Sequence, residues 1–354
     1  MIKIKINNTE LEAKEGDTIL SVARKIGIFI PTLCHKDGVE HYTSCMVCMV
    51  LDKSTNSFLP SCTALVREGM DIDTLGEEVI SMRKKAVDLL LSEHRAECEA
   101  PCRIVCPAGY NIPLMNRLLV SGDYTSVIRL VMSELDAREI RCFNCQGYCE
   151  NACRRKKIDR QISIRNIRIF IAQNLDYHGD VEYRVELSEY RDLKKLFSSR
   201  LGKIEESELK EWLKECTGSG NRFDTIEDFT SAGEEAGNCM HCDCRAAEDC
   251  RLRELAQRLG IKDRGSKVIN SPITKKINNK TGLIFENAKC IKCGLCIRIC
   301  EDRNEEPGLC FINRGFVSII SEPLTSDFDA VLATQTDLCI SVCPTGALSR
   351  INEK

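Results

Sequence analysis

The chain has little of what builds large apolar interfaces. Only 5% of its 354 residues are aromatic, one of them tryptophan, so broad aromatic cores are not expected. No sign of charge predominates: 50 Lys and Arg stand against 53 Asp and Glu, a net charge of −3. That balance offers no footprint for nucleic acid. No run approaches the roughly 18–20 apolar residues that cross a bilayer. The opening Met-Ile-Lys-Ile-Lys-Ile alternates in polarity and lacks the apolar run of an export signal. No G-x-G-x-x-G turn after a strand and no G-x-x-x-x-G-K-[ST] loop occurs. A flavin or NAD site on this chain is therefore not expected, and no nucleophile–base pair or paired-carboxylate site stands out.

What the chain has is cysteine. Twenty-three are present, nearly all in short clusters. A disulfide scaffold is usually short and secreted. This chain is long, its cysteine count is odd, and C-x2-C and C-x3-C spacings recur. Those features point to metal in a reducing compartment, the cytoplasm.

Four regions are expected, giving an α+β multi-domain chain. Residues 1–76 read as strand, strand and helix: Ile2, Ile4 and Ile6 alternate, Asn7-Asn8 turns, and Asp17 caps a helix ended by Gly27. Residues 77–175 read as helical, with an amphipathic stretch near 111–132 between cysteine loops. Residues 176–282 read as a charged connector carrying a cysteine module at Cys239–Cys250. Residues 283–354 read as a ferredoxin-like α+β domain.

Cys34, Cys45, Cys48 and Cys62 have the spacing C-x10-C-x2-C-x13-C. Four thiolates on loop backbone suit a 2Fe–2S cluster, with the C-x2-C neighbours at one iron, and zinc is the plain alternative. The text Ile30-Pro31-Thr32-Leu33-Cys34-His35, Ser44-Cys45-Met46-Val47-Cys48 and Pro60-Ser61-Cys62-Thr63 resembles the large iron–sulfur subunit of NADH dehydrogenases and the N-terminal region of multi-cluster iron-only hydrogenases. The resemblance implies a β-grasp 2Fe–2S domain with all four cysteines as ligands. It also implies a His-x3-Cys pair for a 4Fe–4S cluster, matched by His94 and Cys98.

From Ala100-Pro101-Cys102 to Cys106-Pro107, and again at Cys145-x3-Cys149-Glu150-Asn151-Ala152-Cys153, the chain is similar to the cysteine-rich helical domain of glutamate-synthase small subunits. That domain holds two 4Fe–4S clusters with interleaved ligands. The resemblance implies His94, Cys98, Cys102 and Cys153 for one, and Cys106, Cys142, Cys145 and Cys149 for the other. On the residues alone, His94 reads equally as a helix cap.

Cys239, Cys242, Cys244 and Cys250 lie within twelve residues and suit either a 4Fe–4S cluster or zinc. Cys290-x2-Cys293-x2-Cys296-x3-Cys300 is the bacterial ferredoxin signature, and Cys339-x3-Cys343-Pro344 closes it. Ala333 and Thr336 stand where a second cluster needs cysteines, so one 4Fe–4S cluster on Cys290, Cys293, Cys296 and Cys343 is expected. Cys300 and Cys339 are left near each other, a second cluster there needing help from a residue such as Cys310. Cys216 has no assigned role.

The expected cofactors are thus one 2Fe–2S cluster, three 4Fe–4S clusters and one further 4Fe–4S cluster or zinc ion. The resemblance implies an electron-transfer subunit of a multi-subunit NAD(P)-linked oxidoreductase, electron-bifurcating by analogy. Its partners would be a flavin-containing NADH-oxidising subunit and a terminal redox subunit or ferredoxin. The alternatives are a redox sensor and a zinc or iron–sulfur scaffold.

Overall fold

The computed structural model describes residues 1–134, 141–174, 194–199, 201, 204–263 and 273–351. Of the expected connector, 176–193 lies outside the described residues. Backbone contacts divide the chain into two compact units: Met1–Arg95 with Glu248–Pro272 and Lys276–Ser349, and Ala96–Ala247 with Ile273–Lys275 and Arg350–Lys354.

The first unit begins with β1 (Ile2–Ile6), whose Ile4 and Ile6 are buried while Lys3 and Lys5 face water. Asn7 and Asn8, both at positive φ, turn the chain into β2 (Thr9–Ala13), antiparallel to β1. Helix α1 (Ile19–Lys25) is capped by Thr18, whose hydroxyl oxygen accepts from Ser21 N–H at 3.1 Å. The expected cap, Asp17, lies one residue too early and accepts instead from Lys14 N–H and Lys25. Strands β3 (Met49–Asp52), β4 (Ser57–Pro60) and β5 (Asp71–Asp73) complete a five-stranded sheet of order β2-β1-β5-β3-β4. Its core gathers Ile6, Ile19, Leu20, Val50 and Ile72. Helix α2 (Glu77–Glu93) follows.

The second unit is helical: α3 (Pro101–Val105), α4 (Ile112–Val120), α5 (Tyr124–Glu134), α6 (Tyr148–Asn151), α7 (Ile164–Gln173), α8 (Lys194–Phe197), α9 (Glu206–Leu213) and α10 (Phe229–Ala236). The stretch read as amphipathic over 111–132 is two helices, because Gly122 at φ 73° breaks it. One core joins Met115, Leu119, Val127, Ile167 and Ile171 to Ala232 and Ala236 of α10. The limits of this unit differ from the expected boundaries at 175 and 176. Small apolar residues of α10 are spaced to pack on α4, which a charged composition hides.

The rest of the first unit holds α11 (Arg251–Arg258), a three-stranded sheet of order β10-β7-β6, and a hairpin. The sheet uses β6 (Lys275–Ile277), β7 (Leu283–Glu286) and β10 (Leu348–Arg350). Helix α12 (Leu295–Arg303) precedes the hairpin of β8 (Cys310–Ile312) and β9 (Ile319–Ser321), and α13 (Thr336–Val342) precedes β10. Among the described residues, no helix is long and apolar enough to cross a membrane.

Candidate metal centres

In the first unit Cys34, Cys45, Cys48 and Cys62 are all buried on the loops around the five-stranded sheet. The sulfurs pair as Cys48 with Cys62, at 3.4 Å, and Cys34 with Cys45. Two pairs suit a centre with two irons, each bound by two thiolates. The pairing differs from the neighbour pairing read off C-x2-C, because Ser61 ties the two loops together. Its N–H and hydroxyl both donate to the Cys48 carbonyl, at 3.3 and 2.8 Å, bringing Cys62 to Cys48. Hydrogen bonding from Cys45 holds the Cys34 thiol down to about 5, and Cys62 holds Cys48 at about 7. Cys45 and Cys62 are raised in turn, so within each pair one thiol is the readier to ionise.

The C-terminal cysteines also gather in this unit. Cys290, Cys293, Cys296 and Cys343 line one apolar cavity with Phe285 and Ile320. Gly294, at φ 77°, starts α12 between two of them, and Cys343 caps α13. Burial pushes the Cys290 thiol up to about 12, so its proton must be released to solvent as a metal–sulfur bond forms. Lys292 N–H donates to the Cys290 sulfur at 3.3 Å. Cys293 is also raised by the nearby Cys34. The Tyr42 ring fills the space a Gly294 side chain would need, with Arg298 stacked on that ring at 4.1 Å.

Cys300 and Cys339 face each other across α12 and α13, both buried and hydrogen-bonded to one another. Cys310 opens β8, opposite Ser321. His94 ends α2, buried, with Nδ1 2.9 Å from the Lys289 carbonyl. A neutral ring there donates from Nδ1 and keeps Nε2 as the lone-pair nitrogen, the arrangement of a ligating histidine. Cys250 caps α11, its sulfur 3.7 Å from the Pro344 carbonyl.

In the second unit Cys106, Cys142, Cys145 and Cys149 line a cavity of about 310 Å³ with Tyr110 and Arg168. Arg165 holds its rim, donating to the Cys142 carbonyl at 3.3 Å. Buried Arg168 stacks on Tyr110 at 3.6 Å and pairs with Glu134 at 2.8 Å. Burial raises Cys149 to about 12.

The remaining thiols of this unit are not grouped as their spacing implies. Cys102 and Cys153, from α3 and the turn after α6, line one cavity with Cys239 and Cys242, which follow α10. Cys98 and Cys244 meet through the backbone, Cys244 N–H donating to the Cys98 carbonyl at 2.9 Å. His241 is buried between Cys239 and Cys242 at φ 44°; burial, then the Arg117 and Arg245 cations, drop its pKa to about 3. Arg117 of α4 grips Asp243 through two hydrogen bonds of 2.9 and 3.0 Å. Among the described residues, no three His, Cys, Asp or Glu side chains converge to hold a single metal ion. A polynuclear centre sits among its thiolates and spaces them more widely than one ion does.

Residues 1–77 match the family described as 2Fe-2S iron-sulfur cluster binding domain. The chain is 27% identical over 164 residues to the G 2 subunit of the NADH-quinone oxidoreductase of Rhizobium meliloti (strain 1021), covering 43% of this chain and 18% of that protein. It is 28% identical over 166 residues to the gamma subunit of the NAD-reducing hydrogenase HoxS of Cupriavidus necator, covering 46% of this chain and 69% of that one. A crystal structure of NAD+-reducing [NiFe]-hydrogenase in the H2-reduced state shares the fold, with TM-score 0.51, 14% identity, and coverage of 99% of this chain and 87% of that one. The chain thus spans under a fifth of the first relative's length. The chain is thus similar to subunits of NADH-quinone oxidoreductase and NAD-reducing hydrogenase, and its residues 1–77 carry the match to the 2Fe-2S iron-sulfur cluster binding domain.

Proposed function

We propose that this chain is an iron–sulfur electron-transfer subunit of a cytoplasmic, multi-subunit NAD(P)-linked oxidoreductase. It would work between a flavin-containing subunit and a terminal redox partner, with bifurcation the finer form of the same reading. The observation that carries it is the adjacency of two thiol sites in the first unit, where the Tyr42 ring, between Cys34 and Cys45 in the chain, packs on Gly294, between Cys293 and Cys296, with Arg298 stacked on it.

The proposed ligands are Cys34, Cys45, Cys48 and Cys62 for a 2Fe–2S cluster, and two sets for 4Fe–4S clusters: Cys106, Cys142, Cys145 and Cys149, and Cys290, Cys293, Cys296 and Cys343. His94, held by Lys289, is proposed as a further ligand. When bound, such clusters supply one-electron transfer. The protein's own part is to exclude water with Phe285 and Ile320, to donate N–H groups to sulfur from Lys292, and to set charge with Arg165 and Arg168.

The test is anaerobic isolation of the full chain with iron and acid-labile sulfide counts and EPR of the reduced protein. About ten irons are expected from these three sites alone; zinc without sulfide sinks the reading in favour of a scaffold. Within it, Arg165→Gln removes a cation beside the Cys106 set. One charge at about 8–10 Å is worth on the order of 50 mV. The potential of one EPR signal is expected to fall by that amount in a redox titration, the others staying put.

A further inference from the structure

The cavity walled by Cys102, Cys153, Cys239 and Cys242 brings together two pairs that the sequence separates by more than eighty residues. We infer that these four cysteines hold one 4Fe–4S cluster of the second unit, joining the loop after α10 to α3 and the turn after α6. The inference rests on the reading of the chain as an iron–sulfur protein, and it differs from both sets expected for these residues, the one implied by the resemblance and the one read from the spacing of Cys239–Cys250.

Three independent features of the cavity favour an anionic polynuclear centre. Each wall contributes thiols from a different segment: Cys102 near the start of α3, Cys153 before the turn at Arg154–Lys157, and Cys239 and Cys242 on either side of His241. All four line one and the same cavity, so a single centre can meet each of them. Asn116 of α4 reaches into the same cavity wholly buried, and both polar atoms of its amide lack a protein hydrogen-bond partner. Such a group is costly unless satisfied; its N–H₂ lies by the Cys239 sulfur, where a thiolate bound to iron accepts it.

Charge is supplied on the same wall. Arg154 lines the cavity and places a cation beside the four sulfurs. The His241 N–H faces the Cys239 sulfur at 3.5 Å. Loading balances simply: four thiol protons leave as four iron–sulfur bonds form, and no electron is exchanged. His94, Cys98, Cys244 and Cys250 fall outside this set.

The full chain, isolated anaerobically, tests this with Cys153→Ser and Cys239→Ser, singly and together, and with Cys244→Ser for comparison. Retention of the 2Fe–2S EPR signal reports an intact fold. Each single variant is expected to lose about four irons or to shift the same signal, the double to lose no more than either. Asn116→Leu, which keeps every thiol, is expected to retain the iron and to lower the potential of that one signal. Loss of about eight irons in the double, or a signal shared by Cys239→Ser and Cys244→Ser but not by Cys153→Ser, would overturn the inference. Absence of iron in the unsubstituted protein would instead overturn the functional reading beneath it.

Discussion

Glu215→Gln is expected to lower the stability of the chain by about 3–5 kcal/mol, because it leaves two buried cations without their counter-charge. Glu215 is 3% exposed and bonds both Lys275 and Arg245. Lys275 also lies 4.1 Å from the centre of the buried Trp212 ring, and Arg154 lies 5.7 Å from it. Burial alone would raise the Glu215 carboxyl; Lys275 and then Arg245 outweigh it and hold the carboxyl well below the usual carboxylate range. A depressed folded pKa means the contribution is full above the unfolded value near 4.3 and is lost as pH falls further. The measurement is the thermal midpoint by circular dichroism under anaerobic conditions, expected to drop by about 5 °C. A shift of under about 2 °C would show that water or a neighbour replaces the carboxylate.

The second large effect is at Asp243, between two cysteines of different fate. Asp243→Asn is expected to cost about 3 kcal/mol, since Arg117 is 8% exposed and would be left buried without its carboxylate. Arg117→Met with Asp243→Leu is expected to recover most of that loss, and the two substitutions measured singly complete a cycle that gives the coupling. Burial would raise Asp243, but Arg117 brings it down to about 2. The gap between wild type and Asp243→Asn is therefore constant above about pH 4 and closes towards pH 2. The same variant is expected to lose iron faster under chelator challenge, since Arg117 fixes the loop that carries Cys242. An unchanged chelation rate would separate the ion pair from the metal loop.

What the sequence made legible is local. The alternation of Ile2, Ile4 and Ile6 gives β1, and C-x2-C-x2-C with Cys343-Pro344 gathers the C-terminal thiols, because each needs only near neighbours or one return of the chain. Cys106, Cys142, Cys145 and Cys149 line one cavity. What was not legible is long-range. Nothing in the spacing of Cys239, Cys242, Cys244 and Cys250 says that the first two turn towards Cys102 and Cys153. That partition depends on α10 docking on α4 and on Arg117 pulling Asp243. Pairing within C-x2-C was likewise overridden by Ser61, a serine whose bond to Cys48 has no sequence signature.

The division of the chain also dictates a timetable at the ribosome. Met1–Arg95 belongs with Lys276–Ser349, yet about 150 residues of the other unit are made between them. At cellular rates of synthesis that is a wait of roughly 10–30 s. During it the nascent N-terminal segment already carries Cys34, Cys45, Cys48 and Cys62, and can be supplied with iron and sulfide while translation proceeds. The Cys290 site cannot be filled until Cys343 has left the exit tunnel. On the proposed reading delivery thus runs from the amino end, and a product that stops short of Cys343 is expected to lack the Cys290 centre while keeping the binuclear one.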